Sequence, residues 1–330
     1  MNKNNTPKIS VCLPTYNKAN YIGEAIESAL NQTFKEFELI ILDDGSTDNT
    51  GKIISKFKDP RIKYHRNDKN TGMTQAWNKA LSFASGKYIT ILHHDDRYSP
   101  KMLETESKFL DGNPDVGLVH SACSIIDEKG SLRWLHKYKE FKNYGLFKTA
   151  KAKKTHVVDG HEFMKDIIMD CFIRFPTVMV RRECYEKLGN YKKEFVLGAD
   201  WNMWMRIALH PYKIGYIDEP LASWRRHSKN TTASLVSSGE ARIDDYRVVI
   251  DILKEAAPKH VFTKREERKV IKKMVRDLLK DRIERVLALM KKRKFKEAKK
   301  DWAVLKKWKK EYTIKYGIMD MLAALLSIKL

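Results

Sequence analysis

Two pairs of adjacent aspartates, Asp43–Asp44 and Asp95–Asp96, each end an apolar run, "FELIIL" and "YITILHH" respectively. Two ionised carboxylates about 4 Å apart repel by roughly 4 kcal/mol at an effective dielectric near 20, so a neighbour must offset their charge. At an extended chain end successive side chains point to opposite sides, and Asp95 and Asp96 therefore cannot grip one small ion in the same way. One can hold a hard divalent cation through oxygen while the other accepts a hydrogen bond from a ligand hydroxyl. Mg2+ and Mn2+ suit this use, because they take one or two carboxylates and complete their shell with phosphate oxygens and water. An acidic loop neutralised by nearby lysines would satisfy the same charges without chemistry. His93 and His94 read as strand-end or supporting groups rather than direct ligands.

The elements around these pairs alternate. "KISVCLP" is an apolar strand, and "YIGEAIESALNQTF" puts Ile22, Ala25, Ile26, Ala29 and Leu30 on one helical face. "FELIILDD" is a second strand, and the turn "GSTDNT" opens a helix with Ser46 or Thr47 as its N-cap. "RIKYHRN" is a third strand, "TGMTQAWNKALSFAS" a helix and "GKYITIL" a fourth strand. Such alternation implies parallel pairing with right-handed crossovers, an α/β doubly wound, mostly parallel sheet flanked by helices. Ligands bind such sheets beyond the carboxyl ends of their strands, so both acidic pairs reach one rim. Residues 133–160 are polar and read as a long loop or flap, whereas "FPTVMVRRECYEKLGNY" returns to strand and helix and "ADWNMWMRIALH" is a helix opening on an acid.

With 330 residues the chain has room for about two domains. No apolar run is long enough to span a bilayer, and the opening "MNKNNTPKIS" has no signal-like core, so the expected compartment is the cytoplasm. Cys12, Cys123, Cys171 and Cys184 lie far apart and fit reduced, buried thiols. The net charge of +22 is uneven: residues 241–330 hold 27 Lys/Arg against 13 Asp/Glu. That segment is helical in pattern, with Ile271, Met274, Val275, Leu278, Leu279, Val286 and Leu287 at helical spacing.

Taken together, "SVCLPTYNKANYIGEAIESALNQTFKEFELIILDDGSTDNT", "GKYITILHHDDRYSP" and "GADWNMWMRIA" closely resemble the family 2 glycosyltransferases, inverting enzymes of the GT-A fold. The resemblance spans about residues 7–235 and implies a catalytic domain over 7–237, followed by a basic helical region over 238–330. It implies that Pro14, Thr15, Tyr16 and Asn17, with the Asp43–Ser46 turn, bind the nucleotide of a sugar donor. Tyr16 offers a flat face to a pyrimidine, and Asp44 can accept a ring N–H. It further implies that Asp96 contacts the metal, Mn2+ or Mg2+, on the donor diphosphate and that Asp95 faces the ribose or the transferred sugar. His227, in "SWRRHSKNTT", falls near the metal or diphosphate with Arg225 or Arg226 in support, and Asp200 takes the place of the catalytic base. An Asp there can also cap the following helix. Four positions depart from the pattern the resemblance implies: His93 replaces an aspartate of many relatives, Trp77 an arginine, Ala199 the first acid of the E-D motif, and Asn202 the aspartate that follows it.

The reading that follows is a metal-dependent inverting transferase. It moves a sugar from a nucleotide donor, expected to be UDP-linked, to a hydroxyl of a glycan or lipid-linked acceptor, as in assembly of bacterial cell-surface polysaccharide. A noncatalytic nucleotide-binding module holding an anionic polymer or membrane is the alternative. "MKKRKFKEAKKDWAVLKKWKKEY" places Phe295, Ala298, Trp302, Leu305, Trp308 and Tyr312 three or four apart among lysines, the pattern of a helix lying on the cytoplasmic face of a membrane and equally of a docked bundle helix. No nucleic-acid-binding motif accompanies the basic surface.

Overall fold

A computed structural model describes residues 6–137, 154–227 and 240–303. The chain divides into two compact units, Met1–Ser228 and Lys229–Leu330. In the first, β1 (Ile9–Thr15), β2 (Phe37–Asp43), β3 (Ile62–Arg66) and β4 (Tyr88–Ile91) pair in parallel in the order β3-β2-β1-β4. The crossovers carry α1 (Ile22–Leu30), α2 (Thr50–Ile54) and α3 (Met73–Leu81). Every residue of β1 and β2 is buried, as a strand covered on both faces requires. On α1 the buried side is Ile22, Ala25, Ile26 and Ala29, the face that the helical period selects. The chain turns opposite ways out of β1 and into β4, and a crevice opens beyond their carboxyl ends.

The rest of the sheet is mixed. β5 (Arg97–Tyr98), α4 (Met102–Gly112), β6 (Val116–Ile126), β7 (Leu132–His136), β8 (His156–Val158) and α5 (Gly160–Ile167) follow β4. A short 3-10 turn, Phe175–Thr177, leads into β9 (Val178–Arg181), α6 (Arg182–Leu188), α7 (Ala199–Leu209) and β10 (Lys213–Arg225). Strand β9 lies antiparallel between β4 and β6, so the sheet runs β3-β2-β1-β4-β9-β6-β10-β5. Arg181, the last residue of β9, explains that insertion. Its buried guanidinium donates to the carbonyls of Val116 (2.6 Å), Leu110 (2.5 Å) and Asn113 (2.9 Å), groups at the end of α4 and the start of β6. β10 runs parallel to β6 through two bulges near Pro220 and antiparallel to β5, which delivers Arg225 beside the residues that follow β4.

Several local expectations change. The stretch 133–160 is not one loop: residues 132–136 pair with β6, 156–158 pair with β10, and Asp159 caps α5 by accepting from the His161 and Glu162 amides. Residues 138–153 lie outside the described residues. Neither Ser46 nor Thr47 caps α2, which begins at Thr50. Instead the Ser46 hydroxyl accepts from the Asn17 amide (2.9 Å) and the Thr47 amide donates to Asn17 Oδ1 (2.7 Å), which ties the turn after β2 to the end of β1.

In the second unit α8 (Glu240–Ala256) and α9 (Lys264–Lys291) are joined through a 3-10 turn, and residues 295–303 are helical again. Thr263 and Glu266 form a reciprocal capping box that starts α9. Val275, Leu279, Val286, Leu289, Ala298 and Trp302 pack together, while Asp301 pairs with Arg282 (2.7 Å) and Arg285 (2.6 Å). Leu287 and Phe295 are exposed, against the expectation from spacing, because the inward stripe passes through Val286 and Leu289 instead. Leu305, Trp308 and Tyr312 lie outside the described residues.

Gly45, between Asp44 and Ser46, has φ +78°, and a Cβ there would stand 2.7 Å from the Lys69 carbonyl carbon. Gly45→Ala is expected to cost about 1 to 3 kcal/mol, read as a lower urea midpoint at unchanged slope.

Candidate active site

The crevice is built first from the ends of β1 and β2, where Thr15 pairs in register with Asp43. Thr15 is buried, and its hydroxyl has no hydrogen-bond partner among the described residues. Pro14 is buried beside it, and Tyr16 is exposed at the rim. Asn17 adopts φ +50°, a left-handed conformation asparagine tolerates, and so aims its amide oxygen at the Thr47 and Asp48 amides. The Asp43 carboxylate is buried and accepts from the Ser46 amide, the Tyr64 hydroxyl and Arg66. The Asp44 carboxylate accepts from Asn67 (2.7 Å), the Thr71 hydroxyl and amide (2.8 and 2.9 Å) and the Gly72 amide (3.2 Å). Asp44 thus holds the loop 67–72 against the end of β2. Nothing in the polar run "RNDKNTG" announces Asn67 and Thr71 as its partners, since no spacing rule links a loop to a carboxylate over 20 residues away.

The second acidic pair is held from a distance. Arg225 donates its backbone N–H to Asp96 Oδ1 (2.9 Å) and Nε–H to the Asp95 carbonyl (2.9 Å), while the rest of its buried guanidinium reaches the Glu128 carbonyl (2.9 Å) and Glu24 (2.6 Å). Arg225 is therefore spent on the shape of this turn, and Arg226 points outward over Trp134 and Trp224. His227 Nε2 lies 3.0 Å from Asp95 Oδ2, and its ring stacks on Tyr21 at 5.0 Å. This places His227 on Asp95 rather than directly on Asp96. Burial opposes the charge on Asp95, yet His94, the His227 hydrogen bond and Lys18 hold the carboxyl well below the usual range. Lys18, a cation beside this pair, escaped the sequence reading because it lies 77 positions away.

Asp96 is the opposite case. Complete burial and the neighbouring Asp95 push its carboxyl well above the ordinary range, and Arg225 offsets only part of that. Its Oδ2 is buried without a hydrogen-bond partner among the described residues. His93, Asp95 and Asp96 each offer a ligand atom, all within 4.8 Å of one another. Burial lowers the His93 pKa to about 4, leaving a neutral imidazole at physiological pH. A buried carboxylate oxygen with nothing to bond and two further donors at ligand spacing fit a divalent cation.

Asp200 lies in the first turn of α7, not at its N-cap, which is Gly198; its Oδ1 accepts from the Trp201 amide (2.7 Å). It borders a cluster of aromatic rings. Burial first, then Tyr185 and the charge of Asp200, push the Tyr191 phenol upward, and Tyr191 packs edge-on against Trp77 (5.3 Å). Trp77 and Phe175 in turn stack on His93, at 5.3 and 4.3 Å. The charge of Asp200 thus acts on a tyrosine of this aromatic cluster, and Asp96 Oδ2 lies 3.9 Å from Nδ1 of the histidine that stacks on it. Trp77 is buried there.

The glycosyl transferase family 2 profile matches residues 10–172. An uncharacterized glycosyltransferase of Methanocaldococcus jannaschii is 33% identical over 234 residues, covering 70% of this chain and 74% of that protein. The chain belongs to glycosyl transferase family 2. Of the Rickettsia glycosyltransferases that this glycosyltransferase matches at 35–36% identity, it spans about a third of the length. Among solved structures, S. aureus TarS 1-349 in complex with UDP-GlcNAc has a TM-score of 0.56 at 17% identity, covering 89% of this chain and 90% of that one. The mannosyltransferase PcManGT from Pyrobaculum calidifontis, in complex with GDP-Man and Mn2+, has a TM-score of 0.54 at 18% identity, covering 97% and 79%. The architecture is the GT-A fold.

A buried carboxyl with a raised pKa contributes stability that is present at low pH and lost as the pH rises through that pKa. Asp96→Asn, which still accepts from the Arg225 amide, should therefore melt above the metal-free wild type, with the gap widening as pH rises. Each kcal/mol regained corresponds to about 2–4 °C in calorimetry. The gain in melting temperature on adding Mn2+ should vanish in the variant.

Proposed function

We propose that this glycosyltransferase is a metal-dependent inverting enzyme that transfers a sugar from a nucleotide donor, UDP-linked, to a hydroxyl of a glycan or lipid-linked acceptor. The observation carrying this reading is the Asp96 oxygen that has no hydrogen-bond partner among the described residues, set with His93 and Asp95 at ligand spacing beyond the carboxyl end of the parallel strand β4. The catalytic domain is assigned to residues 7–237 and the basic helical region to 238–330. Pro14, Thr15, Tyr16, Asn17 and Asp44 line the nucleotide end, with Thr15 offering a hydroxyl that has no partner. A ring N–H of the base would share or replace the donors now on Asp44. Asp95, oriented by His227, faces the ribose or sugar, and Asp96 would hold the Mn2+ or Mg2+, with His227 reaching the ion only by way of Asp95. A bound divalent cation supplies positive charge to the departing diphosphate oxygens.

In the transfer itself the acceptor oxygen forms a bond to the anomeric carbon as the carbon–diphosphate oxygen bond breaks on the opposite face, which inverts the centre. Asp200 accepts the acceptor's proton. The bond from the Trp201 amide fixes one carboxylate oxygen at the helix start, which reduces the orientations the base would otherwise have to search.

The second unit supports a peripheral membrane role. Arg265, Arg268, Lys272, Arg276 and Lys280 are exposed along one face of α9, and Leu287, Met290 and Phe295 are exposed beyond them. Arg276 and Lys280 have ion-pair neighbours only on their own helix, Asp277 at 3.5 Å and Glu284 at 3.9 Å. Basic side chains beside exposed apolar ones suit an anionic lipid surface. No helix among the described residues is long and apolar enough to cross a membrane.

Asp200→Asn should lower transfer by about 10²- to 10⁴-fold while the donor-induced rise in melting temperature persists. The same melting assay, run across UDP- and GDP-sugars with and without Mn2+, identifies the donor. A wild-type protein that binds donor but never turns it over with any acceptor glycan or lipid would instead be a binding module. Co-sedimentation with phosphatidylglycerol vesicles should exceed that with phosphatidylcholine and weaken with salt. Reversing Arg268, Lys272 and Arg276 to Glu should reduce it by about a hundredfold or more, at about 1 kcal/mol for each basic residue lost.

A further inference from the structure

His93 stands beside the acidic pair in a tightly packed aromatic setting. The His93 ring stacks on Phe175 with centroids 4.3 Å apart and planes inclined by 19°, and on Trp77 at 5.3 Å and 25°; Trp77 and Phe175 also touch, at 4.6 Å. The ring is thereby fixed beside Asp96, with Nδ1 3.9 Å from Asp96 Oδ2. Two ligands, each about 2.1 Å from one cation, lie at most about 4.2 Å apart, so this pair falls within the reach of a single ion. Asp96 Oδ2 is buried without a hydrogen-bond partner among the described residues. The His227 ring, by contrast, already meets Asp95 Oδ2 at 3.0 Å.

We infer that His93 supplies a nitrogen ligand to the divalent cation held by Asp96, and that the chain consequently selects Mn2+ or Co2+ over Mg2+. This rests on the reading above that the cleft takes a divalent cation. Magnesium demands a rigid oxygen shell, whereas the later divalent ions of the first transition row bind imidazole with increasing affinity. An aspartate at this position would leave an all-oxygen set suited to Mg2+.

The test uses the full chain and Mn2+ alone, followed by electron spin-echo envelope modulation. The wild type should show coupling to a histidine nitrogen that changes when histidine is labelled with nitrogen-15. His93→Asp should lose the coupling yet still bind Mn2+, and its preference for Mn2+ over Mg2+ in calorimetric titration should fall at least tenfold. His227→Gln should keep the coupling. Mn2+ bound to the wild type without histidine coupling, or coupling that survives His93→Asp and disappears in His227→Gln, overturns the inference and leaves the metal-dependent reading standing. A wild type that binds no Mn2+, alone or with donor, overturns both. The isotope experiment needs no variant, so it decides the matter even if His93→Asp fails to fold.

Discussion

The D-D turn after β4 exists in its observed shape because one buried arginine holds it. Arg225, 129 positions beyond Asp96, meets Asp96 through its backbone amide and the Asp95 carbonyl through its side chain, and spends its remaining donors on Glu24 and the Glu128 carbonyl. A guanidinium suits this task, since its planar fork reaches several acceptors at fixed angles and stays charged when buried. Without it, two adjacent carboxylates in a largely dry pocket would repel and the turn would open toward water. The same arginine leaves one Asp96 oxygen uncommitted, and that oxygen is the chemical opportunity in the crevice.

The sheet serves this contact. Parallel strands β1, β2 and β4 bring three loop ends to one rim, but they cannot bring Arg225 there. That requires β10 to run parallel to β6 and then pair antiparallel with β5, a route that the bulges at Pro220 make possible. Arg181 stabilises the antiparallel insertion of β9 on which this route depends. The aromatic cluster of Trp77, Phe175 and Tyr191 has a comparable part: it joins α3, the 3-10 turn and the segment before α7 into one support on which His93 stacks.

Much of the N-terminal half was legible without coordinates. The apolar runs before Asp43 and Asp95 read as buried strands, and the helix face of α1 followed from spacing, because burial and local period are properties of consecutive residues. The turn at Ser46 and Thr47 was misread as a helix cap. Side chains of that type also bond to neighbouring chain, and here the neighbour is Asn17 on another strand end. Arg225 was read as a group supporting the diphosphate, a fair inference for a cation in a basic loop and one that says nothing of its burial. On α9 the spacing admitted Leu287 to the core, and packing chose Leu289.

By itself the sequence determined the alternating elements, the family, and the placing of both acidic pairs at the carboxyl ends of parallel strands, since each of these follows from patterns within about thirty residues. Only the tertiary structure decided the partners: loop 67–72 for Asp44, Arg225 for the D-D turn, and the aromatic cluster for His93. Those pairings depend on which strands become neighbours and how far the chain turns between them. Such choices are made by the summed packing of the whole sheet, and no local run of residues records them.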